Sequence, residues 1–183
     1  ANAGRAGGDL RSEVTLDEAQ IRAMLAAMPK DISRAAACCG GKSLFASRKV
    51  NYFWGGKSSA IGWDSHWGKP TRVTAAGSRT TGTIRPYGLD CSGFVDWVFN
   101  NSLGYVIGHG GGAASQHDHC KSISWSEAQP GDLVFYPGDT HVGVFVGKDS
   151  SGDPLIIHCA SSQNNVVLTG LQGFVSLGRP DCF

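Results

Sequence analysis

The sequence predicts an α+β domain, with helices first and an antiparallel meander after them. Three features support this. Helical apolar spacing opens the chain proper, a polar cap at Asp90 starts a central helix, and five short β-rich runs fill the last third. The runs follow one another too closely for parallel crossovers, which need roughly a dozen residues or more.

Residues 1–14 (ANAGRAGGDLRSEV) are Gly-rich and polar and lack an apolar period, so they are expected to be a linker or expression remnant. The domain proper is expected over 15–183. Thr15 and Glu18 have capping-box spacing, and Ile21, Met24, Leu25 and Met28 fall at i, i+3, i+4, i+7 before Pro29, which predicts a short amphipathic helix. Asp31 can cap a second helix reaching about Phe45, interrupted by Gly40-Gly41. Residues 56–88 sustain neither period and carry Trp63, His66 and Trp67 among many Gly, Ser and Thr residues; this predicts a long ordered loop. Loops of that length inside a compact domain are usually functional, so it is a candidate groove wall. Its tryptophans either stack on a ligand or pin the loop to the core.

Asp90 then reads as the N-cap of a helix whose apolar face is Phe94, Val95, Val98 and Phe99, ending between Asn100 and Gly104. The runs LVFY (133–136), VGVFVG (142–147), LIIHCA (155–160), NVVLT (165–169) and GFVSLGR (173–179) are separated by Gly, Pro, Asp and Ser and predict a sheet of about five strands.

Composition narrows the function. With 16 basic and 15 acidic residues the net charge is +1, so no long-range field draws the chain to nucleic acid or anionic lipid. No stretch approaches the roughly 18 apolar residues of a membrane span. The chain opens on Ala1 without a signal-peptide pattern, so a fragment that has lost any targeting segment is expected. Six cysteines allow a disulfide framework, but the chain is long enough to fold without one, and adjacent Cys38 and Cys39 would bridge only under strain.

Cys91 directly follows the cap Asp90. A thiol in the first turn of a helix experiences the partial positive charge and free N–H groups of that terminus, which lower its pKa from about 8.5 towards neutrality. Ser92 and Gly93 keep the turn uncrowded, so a carbonyl can approach and the Cys91 N–H can help hold an oxyanion. A base must then come from elsewhere in the chain. His141 opens a strand after the polar turn Pro137–Thr140, and His158 lies in the next strand, where antiparallel pairing can set it beside His141 as the orienting third member.

Tyr52-Phe53-Trp54-Gly55-Gly56, Leu89-Asp90-Cys91-Ser92-Gly93-Phe94, Gln129-Pro130-Gly131-Asp132-Leu133-Val134-Phe135 and His141-Val142-Gly143-Val144-Phe145-Val146-Gly147 resemble, in order, the signature blocks of the NlpC-type peptidases. These are papain-like cysteine endopeptidases of bacterial cell walls. The resemblance covers about residues 45–180. It implies a papain-like fold with the nucleophile at a helix N-terminus packed on the sheet. It also implies Cys91 as nucleophile, His141 as base, His158 as third polar residue and Tyr52 near the thiol at the oxyanion site. Asp90 and Ser92 would border the stem-peptide pocket. Trp54, in the first block, and Trp63, in the long loop, are expected as further substrate contacts. The implied reaction is hydrolysis of a peptidoglycan stem amide, typically γ-D-glutamyl to diamino acid, by an extracellular or wall-associated monomer without a cofactor. The 57–88 segment is longer than the connection common in the family, so substrate preference is open.

Three rivals stand beside this reading. One is a metal site built on His117-x-His119-Cys120, which lacks paired C-x-x-C spacing. Another is a non-catalytic wall-binding module of the same fold. The last is an acyltransferase using the same cysteine and histidine.

Overall fold

A computed structural model describes residues 10–12, 49–149, 151–171 and 173–183. The two helices expected between Thr15 and Phe45, with Cys38 and Cys39, lie outside the described residues. In chain order the elements are β1 (Leu10–Ser12), β2 (Pro70–Arg72), β3 (Ile84–Pro86), α1 (Cys91–Leu103), α2 (Ala113–Asp118), β4 (Cys120–Ser122), β5 (Leu133–Phe135), β6 (Val142–Lys148), β7 (Pro154–Ala160), β8 (Asn165–Thr169) and β9 (Ser176–Pro180).

The sheet has the order β1-β8-β7-β6-β5-β9-β4, with every pair antiparallel. All five β-rich runs are strands in it, and β5 to β8 form the expected meander. Two short strands extend the edges beyond expectation. β4 pairs with β9, and Leu10–Ser12, inside the stretch read as a linker, pairs with β8.

The sheet is covered on both faces, as period-2 alternation within apolar strands requires. Leu133, Phe135, Val142, Val144, Val146, Ile157, Cys159, Val166 and Leu168 share a cluster with α1. The intervening Val134, Phe145 and Ile156 pack with Phe174 and Leu177 on the other side. His158, one residue after Ile157, therefore falls on the face that holds Phe174.

Helix α1 begins and ends on the predicted residues. Asp90 Oδ1 accepts from Gly93 N at 2.7 Å, and Gly104 closes the helix in the left-handed region with φ 66°. Side chains from Cys91 to Phe99 are all buried, so the helix is covered well beyond its predicted apolar face. The 57–88 segment covers part of its outer side. Trp97 Nε1 donates to Gly62 O at 3.0 Å, Asn101 Nδ2 donates to Ala60 O at 3.0 Å, and Trp67 stands against Trp97 with ring centroids 5.9 Å apart.

That segment also contains the hairpin β2–β3, with Pro70 opposite Pro86 and Arg72 opposite Ile84. Its residues are exposed or half-exposed on both faces, so no apolar alternation marked it in the sequence. At Gly93 any larger residue would meet the Gly56 carbonyl, whose oxygen would lie 2.1 Å from the added Cβ. This close approach locks the Trp54-Gly55-Gly56 turn against the start of α1.

Candidate active site

Cys91 is the first residue of α1 and is 8% exposed. Residues 51–53 run beside the approach to it. Tyr52 bridges Leu89 in parallel, Phe53 N donates to Leu89 O at 3.0 Å, and Leu89 N donates to Asn51 O at 3.1 Å. On the far side the Cys91 thiol meets the backbone N–H of Val142, the neighbour of His141. The helix start and the strand start are thus brought together.

His141 Nε2 lies 2.7 Å from His158 Nδ1, and His158 Nε2 lies 3.0 Å from Thr169 Oγ1. The Thr169 hydroxyl donates its one proton to Gly170 O at 2.9 Å, so it can only accept from His158. His158 therefore carries its proton on Nε2 and presents the Nδ1 lone pair to His141. His141 in turn donates from Nε2, which leaves its Nδ1 as the free basic nitrogen. His158 and Thr169 are 1% and 0% exposed, so no solvent competes for these bonds.

Aromatic packing fixes the pair. The His141 ring stacks on Phe174 at 5.5 Å and meets the edge of Tyr136 at 4.9 Å, and Phe174 meets His158 edge-on at 5.2 Å. Gly143 makes room for this arrangement: a Cβ there would stand 2.6 Å from Ile156 Cγ2 and 3.1 Å from Phe174 Cζ.

The electrostatics differ from what the helix terminus alone suggests. Burial pushes the Cys91 thiol up to about 11, and the Asp90 carboxylate adds to this; the N–H groups of Val142 and Ser92 and the Lys57 ammonium oppose them without prevailing. Burial drives His141 down to about 4 against the opposing pull of Asp90. His158 is pushed well down by burial and by His141. Desolvation thus works against the helix start at the thiol and against protonation of the imidazole, the reverse of the shift expected at Cys91 from the helix terminus alone.

Tyr52 lies close enough to Cys91 and Asp90 for both to act on its phenol, which burial, first of all, holds well above its ordinary value. It therefore stays protonated and can donate. With Trp54, His141 and His158 it lines a cavity of about 470 Å³ completed by Gly77, Ser78, Arg79, Tyr136, Thr140 and residues 160–163. Trp54 Nε1 donates to Ala76 O at 2.8 Å, which fixes the indole in that wall.

The other sequence candidates lie elsewhere. Trp63 does not line this cavity; it meets Trp67 edge-on at 4.9 Å and packs against the core, so it holds the loop down. Asp90 and Ser92 are buried beneath the helix start. Asp90 accepts from Gly93 N, Gly55 N, Ser92 Oγ and Lys57 Nζ, and Lys57 Nζ also reaches Ser92 Oγ at 2.6 Å. These bonds brace the turn that carries Cys91.

Lys57 and Thr169 were not singled out from the sequence. Thr169 was traceable in principle, because it ends the run that pairs with the run holding His158. The HDHC stretch is dispersed: His117 Nδ1 meets Asp139 Oδ1 at 2.7 Å with its ring stacked on Phe135, His119 Nδ1 meets Ser115 O at 2.9 Å, and Cys120 Sγ meets Gln116 O at 3.3 Å.

Comparison with known proteins agrees with this architecture. The sequence model of the NlpC/P60 family matches residues 49–174, well over half of the chain. The "Probable endopeptidase p60" of Listeria grayi is 41% identical over 85 residues, which are 45% of this chain and 14% of that protein. The chain therefore spans only a small part of that relative. Among solved structures, the peptidoglycan hydrolase RipB of Mycobacterium tuberculosis superposes with a TM-score of 0.57 at 23% identity, covering 86% of this chain and 70% of that one. RipD of the same organism, described as a non-catalytic NlpC/p60 domain protein adapted to peptidoglycan binding, superposes at 0.56 and 21% identity, covering 80% and 96%.

Proposed function

Because the chain belongs to the NlpC/P60 family, we propose that it is a cysteine endopeptidase that hydrolyses an amide of the peptidoglycan stem peptide, typically γ-D-glutamyl to diamino acid, through a thioester at Cys91. The observation that carries this is the bonded series His141–His158–Thr169, which leaves a lone pair on His141 Nδ1, in the residue preceding the one whose N–H meets the Cys91 thiol. A fold shared with RipD does not by itself imply turnover, whereas a filled and ordered nucleophile–base–orienter set supports it.

In the proposed reaction the Cys91 thiol gives its proton to His141 Nδ1 as Sγ bonds to the carbonyl carbon. Burial favours the uncharged forms of both groups, so the transfer accompanies attack. The tetrahedral oxyanion accepts from the Tyr52 hydroxyl and the Cys91 N–H. Collapse breaks the C–N bond, the amine takes the proton from His141, and the acyl group remains on Sγ. Water then gives a proton to His141 and attacks the thioester; the acid departs and Cys91 regains its proton. The site of action is the bacterial cell wall, outside the membrane. Among the described residues no helix is long and apolar enough to cross a membrane.

Digestion of purified muropeptides of both common diamino acid chemistries, with products identified by mass, tests the proposal. Wild type is expected to release one new amine and one new carboxyl fragment, and Cys91→Ala none. No cleavage by wild type, or equal cleavage by both, would refute it.

A further inference from the structure

We propose that Arg79 and Arg85 form an anion subsite beside the catalytic histidines and that it takes a free carboxylate of the peptide to be cleaved, an inference that rests on the peptidase reading above. A second cavity of about 470 Å³ adjoins the first and shares Tyr52, Trp54, Ser78 and Arg79 with it, while Arg85 lines the second alone. Among the described residues, neither cavity is lined by an aspartate or glutamate. On a chain of net charge +1, two guanidinium groups with no acid in the walls concentrate positive potential at one place.

Both arginines are exposed, and among the described residues neither pairs with a carboxylate. Arg85 Nε donates to Thr83 Oγ1 at 3.2 Å, a bond that orients the group and leaves its terminal nitrogens free of that contact. A guanidinium fork matches a carboxylate geometrically as well as in charge.

The support beneath these residues is ordered. Thr81 Oγ1 donates to Ala75 O at 2.8 Å, Thr83 Oγ1 to Thr80 O at 2.6 Å, Thr80 N to Ser78 Oγ at 3.1 Å, and Gly82 N to Val73 O at 2.7 Å. The turn carrying Arg79 is also tied to the first cavity, because Ala76 O accepts from Trp54 Nε1. The 57–88 segment thus buttresses α1 with its tryptophans and presents cationic groups to the cleft from its hairpin. A peptide lying past His141 towards Trp54 meets these two arginines.

The carboxylate has two sources in a stem peptide, the α-carboxyl of the γ-linked D-glutamyl residue and the C-terminus. Three synthetic peptides separate them: L-Ala-γ-D-Glu-L-Lys-D-Ala, the same peptide amidated at the D-glutamyl α-carboxyl, and the same peptide amidated at the C-terminus. Binding is measured by calorimetry to Cys91→Ala, with and without Arg79→Gln and Arg85→Gln, so that turnover is not needed. One of the amidations is expected to weaken binding about 5- to 10-fold when the arginines are present, as two partly exposed charge-assisted contacts allow. The same amidation should cost less than twofold in the glutamine background.

Binding of all three peptides within twofold, or an equal loss with and without the arginines, overturns the subsite. Absence of measurable binding by any peptide also overturns it. Cleavage of the same peptides by wild type is read separately: cleavage without carboxylate dependence removes the subsite and leaves the peptidase. Carboxylate-dependent binding without cleavage retains the subsite and removes the peptidase.

Discussion

Thr169→Val replaces a hydroxyl with a methyl of nearly the same shape at a fully buried position and removes the acceptor for His158 Nε2–H. The first consequence is a buried donor without a partner, which costs about 1–3 kcal/mol. His158 can escape that cost by moving its proton to Nδ1, but Nδ1–H must then donate to His141 Nε2. His141 would be forced to carry its own proton on Nδ1, the nitrogen that has to accept from Cys91. The wrong tautomer of the pair thus gains by as much as the orphaned N–H costs. At about 1.4 kcal/mol per tenfold, 1–3 kcal/mol corresponds to a fall of roughly 5- to 150-fold in turnover. The loss should fall on kcat and leave KM nearly unchanged, because Thr169 does not line the substrate cavity. Thr169→Ser keeps the acceptor and should stay within a few fold of wild type. The assay is steady-state hydrolysis of a stem tetrapeptide, with imidazole nitrogen shifts reporting the tautomers. Full activity in Thr169→Val, or a Thr169→Ser variant as slow as Thr169→Val, would refute the reasoning.

Other expectations follow from the same geometry. In the proposed mechanism His158 orients and does not itself move the proton, so His158→Asn and His158→Gln should be intermediate and His158→Ala lowest, with losses of about 10² to 10⁴, yet all above Cys91→Ala; equal rates across the series at matched folding would remove the orienting role. With the thiol pushed up to about 11 and His141 down to about 4, alkylation of Cys91 by iodoacetamide, followed at its own peptide by mass, should keep rising from neutral pH towards 11; a plateau from about pH 5 to 8 would indicate a thiolate–imidazolium pair instead. The same shift sets acid stability. The folded pKa of His141 lies below the ordinary 6.5, so as pH falls the unfolded chain binds the proton first, and stability is lost between about pH 6.5 and 4, by up to about 3 kcal/mol from this group. Chemical denaturation of wild type and His141→Gln across that range checks this, and identical pH slopes would contradict it.

Much of the fold and part of the site could be read in advance, for local reasons. Asp90 caps α1 because its carboxylate reaches Gly93 N, an interaction confined to four consecutive residues. The five runs after residue 130 declared themselves because they are rich in β-branched and aromatic residues between turn residues, and the strands from β5 to β7 send alternate side chains to two buried faces. The short strands β1 to β4 were invisible for the opposite reason: three residues are too few to show a period, and β2 to β4 bury no consistent face. At the site, His141 and His158 could be named from their places at and within adjacent strands. Thr169 could be placed near His158 by strand pairing, but its role as acceptor could not be read, since it depends on where one hydroxyl proton goes. Trp63 and Trp54 look alike in sequence; only packing separates the one that anchors the loop on Trp67 from the one that lines the cleft. At Cys91 a helix start is visible in sequence, whereas the burial that opposes it is not.

The most direct test of the account is the mass of the intact protein quenched in acid during turnover of a stem tetrapeptide. The account predicts a transient species heavier by the acyl half of the substrate, mapped by peptide mass to Cys91, discharged by hydroxylamine and absent in Cys91→Ala. Product formation with no acylated protein at any quench time, or an adduct on a residue other than Cys91, would contradict it.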